Sequence, residues 1–366
     1  MREGSSVSAL ARAARIGSVT PPRLVGTLRG VPLDLSIVRP GSPTSPLSEA
    51  WASAPDTTDP AFCAWLSDLS AAAAGGQLAL AFPPFRAPEV SEPGRWNVDG
   101  DVRFQAEFPL SWDTLDPRSP NFALKQFSKR LYLERASTWL DTLPPGAQAL
   151  DLGGGIGRFA CEWLDRGLAV TLADPNPRAL ELALGHLARR GGRFELWNLA
   201  AESLRELPRD TFHLVSALEV LCYLSEPQDG LREAARVLRP GGLLLCSVES
   251  GVGSLDPAIA HSAEAIATAA ALTEHAIPGD TWVRYFTADT LSEAISRAGL
   301  EVLAVHGTHY LTDGPLHRLV DFERLADPAY ADALLAFDRL LESTSGFGGA
   351  ARALLAIARK PDPHGA

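Results

Sequence analysis

Between residues 147 and 360 short apolar runs alternate with stretches whose apolar residues recur at helical spacing. The runs are AQALDLG, AVTLADP, RFELWNL, FHLVSALEV, GLLLCSVES, EVLAVHG and ALLAIARK. Between them lie GRFACEWLDRG, PRALELALGHLARRG, QDGLREAARVLRPGG and TADTLSEAISRAGL. Near-continuous apolar strands separated by helices this long predict an α/β fold, a mainly parallel sheet doubly wound with helices on both faces. A long amphipathic helix, NFALKQFSKRLYLERASTWLDTL, precedes the first run and presents Phe122, Phe127, Leu131, Leu133, Trp139 and Leu140.

Residues 1 to about 115 read differently. They are rich in Pro, Ser, Gly and Ala, with clusters such as RPGSPTSP and FPPFRAPEVSEPG. VGTLRGVPLDLSIV fits a strand pair turning at Arg29-Gly30, and DPAFCAWLSDLSAAAAGG fits a helix capped by Asp59 and stopped at Gly75-Gly76. We expect a small irregular accessory domain at 1–115, suited to binding substrate or acting as a lid, and a main domain at 116–362. The main domain carries an insertion at about 251–285, ESGVGSLDPAIAHSAEAIATAAALTEHAIPGDTWVRYF, whose helical spacing also suits a lid.

The net charge of -11 leaves no basic footprint for phosphate, which argues against a nucleic-acid partner. The four cysteines, Cys63, Cys161, Cys222 and Cys246, lack metal-ligand spacing and read as reduced core residues. No window approaches the ~20 apolar residues of a membrane span, and no apolar signal segment opens the chain. A cytoplasmic protein is expected.

In such a sheet a ligand binds beyond the carboxyl ends of the strands, and the turn after the first strand is the usual place. Here that turn is ALDLGGGIGRFA. Asp151 ends the strand, and Gly153, Gly155 and Gly157 permit a tight turn and close approach of a ligand to the main chain. A dinucleotide asks for GxGxxG, but the position of its last glycine is Arg158. The spacing is GxGxG, with an acid two residues ahead, which suits a ligand with a cationic part better than a pyrophosphate. Asp174 closes the second strand at the offset where an acid takes ribose hydroxyls. It can equally cap the helix that follows, and the two roles are compatible.

With Asp151-Leu-Gly153-Gly-Gly155-Ile-Gly157, Asp174, the VLRPGG string ending at Gly242 and YFTADTLSEAISRAGLEVLAV, residues 121 to 360 resemble the class I S-adenosylmethionine-dependent methyltransferases. The resemblance implies their seven-stranded sheet and S-adenosyl-L-methionine as cofactor. It carries cofactor contacts onto Asp151, Gly153, Gly155, Gly157, Asp174, Pro175, Ala201, Glu202 and Glu219, with Glu219 open to facing either the methionine end or the acceptor. In the VLRPGG string, Pro240 is expected to stop the helix and Gly241-Gly242 to turn the chain. One departure stands out. Where the family often has Gly-Asp-Ala after the third strand, Leu199 and Ala200 occupy the Gly and Asp positions, leaving Asn198 or Glu202 to substitute as acceptor for the adenine amine. Phe212-His213 replaces the usual Phe-Asp pair, with His213 read as an edge residue.

The expected function is methyl transfer from S-adenosylmethionine to a small-molecule acceptor, on oxygen or nitrogen, with secondary metabolism suggested by architecture alone. The alternatives are a peptide, protein or RNA methyltransferase and a non-catalytic binding module. His306 and His309, after the sixth strand, are the candidate catalytic bases, because a neutral imidazole takes a hydroxyl proton near pH 7. Ordinary hydrogen-bonded histidines are the plain reading of both, as of His261 and His275 in the insertion. Trp282, Tyr285 and Phe286 fit either a sandwich for a flat acceptor or core. Lys125, Phe127, Arg130 and Tyr132 are placed by the resemblance on a helix that closes over the cofactor, or are core and solvated face. No metal site is visible, and a homodimer is left open.

Overall fold

The computed structural model describes residues 92–251, 253, 282–312 and 316–362, together with the strands at 14–17, 23–28, 31–36, 78–81 and 274–276. Of those five strands, and of 92–96 and 282, only the backbone course is described. The strands are β1 (Ala14–Gly17), β2 (Arg23–Leu28), β3 (Val31–Ser36), β4 (Leu78–Ala81), β5 (Gln148–Leu152), β6 (Ala169–Ala173) and β7 (Phe194–Trp197). They continue with β8 (Phe212–Leu218), β9 (Leu238–Glu249), β10 (Glu274–Ala276), β11 (Trp282–Arg284), β12 (Glu301–Thr308) and β13 (Ala353–Arg359). The principal helices are α1 (Glu92–Glu107), α2 (Phe122–Leu140), α3 (Arg158–Asp165), α4 (Pro177–Arg190), α5 (Pro227–Val237), α6 (Ala288–Arg297) and α7 (Pro328–Ser343).

The main sheet has the strand order β1-β7-β6-β5-β8-β9-β13-β12. The pairs β1–β7, β7–β6, β6–β5 and β8–β9 are parallel, and β13 runs antiparallel to β9 and β12. All seven expected strands are present, flanked by helices. An eighth, β1, comes from the N-terminal region and pairs with β7 from Ala14↔Phe194 to Gly17↔Trp197. An edge strand offers a row of unpaired N–H and C=O groups, so a short segment with no strand signal of its own can add to it. The expected pair around Arg29-Gly30 forms as β2 and β3, with β4 on the other side of β2. The expected helix at 59–76 lies outside the described residues.

The chain divides into two compact units, Met1–Glu89 with Pro145–Ala200, and Val90–Pro144 with Ala201–Ala366. In the first, β5 buries Ala149, Leu150 and Leu152, as a strand covered on both faces does. Helix α4 buries Leu180, Ala183 and Leu187 on one stripe. It begins at Asn176, whose side chain accepts from the amides of Arg178 and Ala179, with Pro177 in the first turn.

In the second unit α2 buries Phe127, Leu131, Tyr132, Arg135, Ala136 and Leu140. Phe127, Leu131 and Leu140 are buried as expected, but Leu133 and Trp139 are half-exposed, and Tyr132 and Arg135 take the buried face in their place. Phe127 and Leu131 pack with Tyr310, Leu325 and Leu335 in a core that α7 completes. Two further expectations are corrected. Helix α5 ends at Val237, three residues before Pro240, and Arg239–Gly242 does not form a simple turn. Instead Arg239–Gly242 forms a bulge, the register jumping from Phe212↔Leu238 to Leu214↔Leu243 with Gly241 at φ +75°. In the insertion, Glu274–Ala276 and Trp282–Arg284 form an antiparallel pair where helical spacing was read; Trp-Val-Arg is sound strand composition.

Candidate active site

The first unit supplies a main-chain cradle. Gly153, Gly155 and Gly157 have φ of +64°, +53° and +89°, a region closed to most side chains. The fourth glycine, which sequence reasoning passed over, is needed for a different reason. A Cβ on Gly154 would sit 2.6 Å from Asp151 Oδ2 and 2.8 Å from Leu172 Cγ. The bare main chain therefore lies directly on the Asp151 carboxylate, which is itself buried.

Asp174 ties the turn to the end of β6. Its Oδ2 accepts from the Gly155 amide at 2.8 Å and its Oδ1 from the Asn176 amide at 2.8 Å. Burial pushes its pKa up to about 6, against those two hydrogen bonds and with help from the Asp151 charge. The cap of α4 is thus Asn176, not Asp174. Asn198 donates its Nδ2 to the carbonyls of Asp174 at 2.9 Å and Pro175 at 3.0 Å. That fixes the amide orientation and leaves its buried Oδ1 without a partner among the described residues.

The second unit holds a cavity of about 150 Å³ at the ends of β8, β9, β12 and the start of β13. Glu219, Tyr132 and His309 line one side, Glu249, Arg352 and Tyr223 another, with Lys125, Cys222, Val248 and Ala353 completing the wall. Glu219 and His309 both follow a strand with φ of +61°, unusual for residues that are not glycine. The Glu219 amide donates to Ser247 Oγ at 2.8 Å. Tyr132 Oη donates to Glu219 Oε1 at 3.3 Å, and its ring lies against the His309 imidazole with centroids 4.6 Å apart. His309 Nδ1 is 2.8 Å from Thr308 Oγ1. Tyr223 Oη donates to Glu249 Oε1 at 3.3 Å, and Glu249 also pairs with Arg352. Burial pushes the Cys222 thiol and the Tyr223 phenol well up, so both stay protonated.

Of the two candidate bases, the structure brings only His309 to the cavity. The ring of His306 faces Glu342, with Nδ1 2.9 Å from Oε1, and Trp139, outside the cavity wall. Ala201 is buried and Glu202 half-buried, its carboxyl pushed up by burial. Of the α2 candidates, Lys125 and Tyr132 reach the cavity, Phe127 is core and Arg130 pairs with Asp332 on the surface. Tyr285 and Phe286 are buried. The side chains of His261, His275 and Trp282 lie outside the described residues. Among the described residues no group of three His, Cys, Asp or Glu is placed to hold a metal. None of the described helices is long and apolar enough to cross a membrane. Sequence reasoning missed Glu249 and Arg352. Glu249 had a signal, because it closes an apolar strand as Asp151 and Glu219 do. Arg352 had none, since its place beside Glu249 comes from the register Ala353↔Glu249.

A mainly parallel sheet with this strand order, an acid-flanked glycine turn after its first central strand and a second acid after the next defines the class I S-adenosylmethionine-dependent methyltransferases. Residues 124–305, just under half of the chain, match the family model described as a methyltransferase domain, and that stretch is such a domain. Among curated relatives, a ubiquinone biosynthesis O-methyltransferase of Xanthomonas axonopodis pv. citri is 30% identical over 136 residues, 37% of this chain and 54% of the relative. Another of that name, from Parvibaculum lavamentivorans, is 28% identical over 168 residues, 45% of this chain and 63% of the relative. The chain thus spans less than two thirds of either. A solved 1,6-didemethyltoxoflavin-N1-methyltransferase of Burkholderia thailandensis is 19% identical, with TM-score 0.43, covering 77% of this chain and 96% of that one.

Proposed function

We propose that the chain transfers a methyl group from S-adenosylmethionine to a small acceptor, with a hydroxyl oxygen as the first choice and an amine as the second. The observation that carries the reading is the cradle of bare main chain between Asp151 and Asp174, shaped for a cationic nucleoside. The residues present fit that cofactor. An ionised carboxylate has about four lone-pair sites, and Asp174 uses two on the amides of Gly155 and Asn176. The remaining two accept the ribose hydroxyls, with Asn176 and Pro175 shaping the exit of β6 around them. Asn198 Oδ1, buried and still an acceptor, meets the adenine amine in place of the missing acid.

When bound, S-adenosylmethionine supplies an activated methyl and its own leaving group. The chain's part is to bind, orient and deprotonate the acceptor. A cavity of about 150 Å³ has room for one aromatic ring. Within it His309 takes the acceptor's proton, and Tyr132 packs the imidazole and donates to Glu219. Oxygen is preferred because the two curated relatives named above are O-methyltransferases by name and because a neutral imidazole suits a phenol or other hydroxyl. Those names concern ubiquinone biosynthesis and give no support to a role in secondary metabolism.

The test is calorimetry with S-adenosylhomocysteine, followed by a screen of phenols and other hydroxyl compounds, then amines, read as S-adenosylhomocysteine production. Micromolar binding and turnover of at least one small acceptor are expected. No binding to the wild-type chain, or turnover of peptides or RNA alone, overturns the reading.

A further inference from the structure

Helix α7 lies between β12 and β13 in the chain and contributes no side chain to the cavity wall. Its Asp338 is nonetheless fully buried, and both of its oxygens are engaged. Oδ2 accepts from the amide of Tyr310 at 3.0 Å. Oδ1 accepts from Nη2 of Arg135 at 2.8 Å, and Arg135 is 97% buried in turn, with a side-chain exposure of 3%. Tyr310 is the residue after His309, whose φ of +61° makes this turn one that the surrounding structure has to hold. Arg135 stands three residues after Tyr132 on α2, and so on the same face. One carboxylate thus grips both the main chain beside His309 and the helix whose tyrosine packs the His309 ring.

We infer that Asp338 is a positioning residue that sets the His309 imidazole against Tyr132 in the cavity. The inference rests on the proposed reading of His309 as the base. An ion pair this deep is poor evidence of a purely stabilising role, because apolar replacements of similar volume are often neutral or better. What an apolar pair cannot do is accept the Tyr310 amide. Burial also pushes the Asp338 carboxyl up to about 6, with Arg135 and the Tyr310 amide pulling the other way. Its ionised form therefore depends on the two groups it positions.

The decisive comparison is between two double variants of the full chain, R135M/D338N and R135M/D338L. Both remove the buried charges, and they differ in whether an acceptor for the Tyr310 amide remains. Histidine-labelled protein is observed by NMR, with a His309→Gln variant identifying the His309 signals among the eight histidines. In R135M/D338N the His309 signals and their pH titration are expected to stay near wild type. In R135M/D338L they move, while far-UV circular dichroism and S-adenosylhomocysteine affinity hold within about twofold; the His306 signals are no control, because Arg135, removed in both variants, also pairs with the Glu342 that holds His306. With any acceptor that the wild type methylates, R135M/D338L loses about 100-fold in kcat with little change in KM, the scale set by an ångström of misplacement. Unmoved His309 signals in folded R135M/D338L overturn the inference. If that variant does not fold, hydrogen exchange of the wild-type Tyr310 amide decides, and exchange at the rate of an exposed amide overturns it. Wild-type kcat in His309→Ala would sink the base assignment and leave the NMR result standing.

Discussion

The cradle after β5 and the cavity at the ends of β8, β9 and β12 are built in opposite ways. The cradle is main chain. Its shape comes from four consecutive or near-consecutive glycines and two acids that close neighbouring strands, and every group in it lies within 50 residues of the next. The cavity is side chains. Tyr132, Glu219, Glu249, His309 and Arg352 come from distant parts of the sequence, and two of them sit in strained backbone. A main-chain site is hard to alter without a clash and easy to read from sequence. A side-chain site can be retuned residue by residue, and that is where an acceptor would be chosen.

The sharpest break of this contrast is His309→Ala. Removing a general base lowers kcat by about 10²–10⁴-fold, while S-adenosylhomocysteine affinity, a property of the cradle, should not change by more than twofold in calorimetry. Next comes Asp174→Ala, which under the proposed reading removes charge-assisted bonds to the ribose worth about 1.5–3 kcal/mol. Affinity for S-adenosylhomocysteine should fall at least tenfold, and an unaltered dissociation constant would mean the ribose lies elsewhere. Gly154→Ala forces a Cβ to within 2.6 Å of Asp151 Oδ2. Overpacking of this kind costs about 1–3 kcal/mol, and thermal melts should show it together with weakened binding.

A pH titration of binding sharpens the comparison further. The Asp174 pKa is raised to about 6, and in the proposed reading the ionised form accepts the ribose hydroxyls. Affinity should therefore be level above about pH 6 and fall about tenfold per unit below it. Asp174→Asn should flatten the curve. The stability of the ligand-free chain runs the other way. A carboxyl whose folded pKa is raised favours folding when protonated, so this contribution is fullest below the unfolded value of about 3.9 and fades as pH rises through about 6. The smallest effect belongs to Tyr132→Phe, which keeps the ring on His309 and loses one 3.3 Å hydrogen bond to Glu219. That is worth about 0.5–1.5 kcal/mol, a loss of about two- to tenfold in kcat/KM.

The strands from Gln148 to Arg359 and four of the helices between them were legible because apolar periodicity is local. Helix α7 was legible too and went unread. Asp327 caps it and Pro328 opens it, the same signature that predicts a helix at Asp59-Pro60. Strand β1 was not legible, since ARIG becomes a strand only by pairing with β7. Nor was the stripe on α2. Leu133 and Trp139 are the more apolar choices, yet the helix turns Tyr132 and Arg135 inward because Glu219, His309 and Asp338 wait there to satisfy them. His306 and His309, three residues apart, could not be separated by spacing. The Thr308–Tyr310 turn sends one to the cavity and the other to Glu342.

The order of letters alone settled the glycine turn, its two acids and the alternation that makes a wound parallel sheet, because φ freedom, a strand-ending acid and a 3.6-residue period are all properties of neighbours in the chain. Which histidine faces the cavity, why a buried arginine meets an aspartate 203 residues away, and how Glu249 finds Arg352 were decided only when the sheet closed. Burial leaves a charge or an amide no water to turn to, so its partner is whichever group packing brings within 3 Å, however far off in sequence.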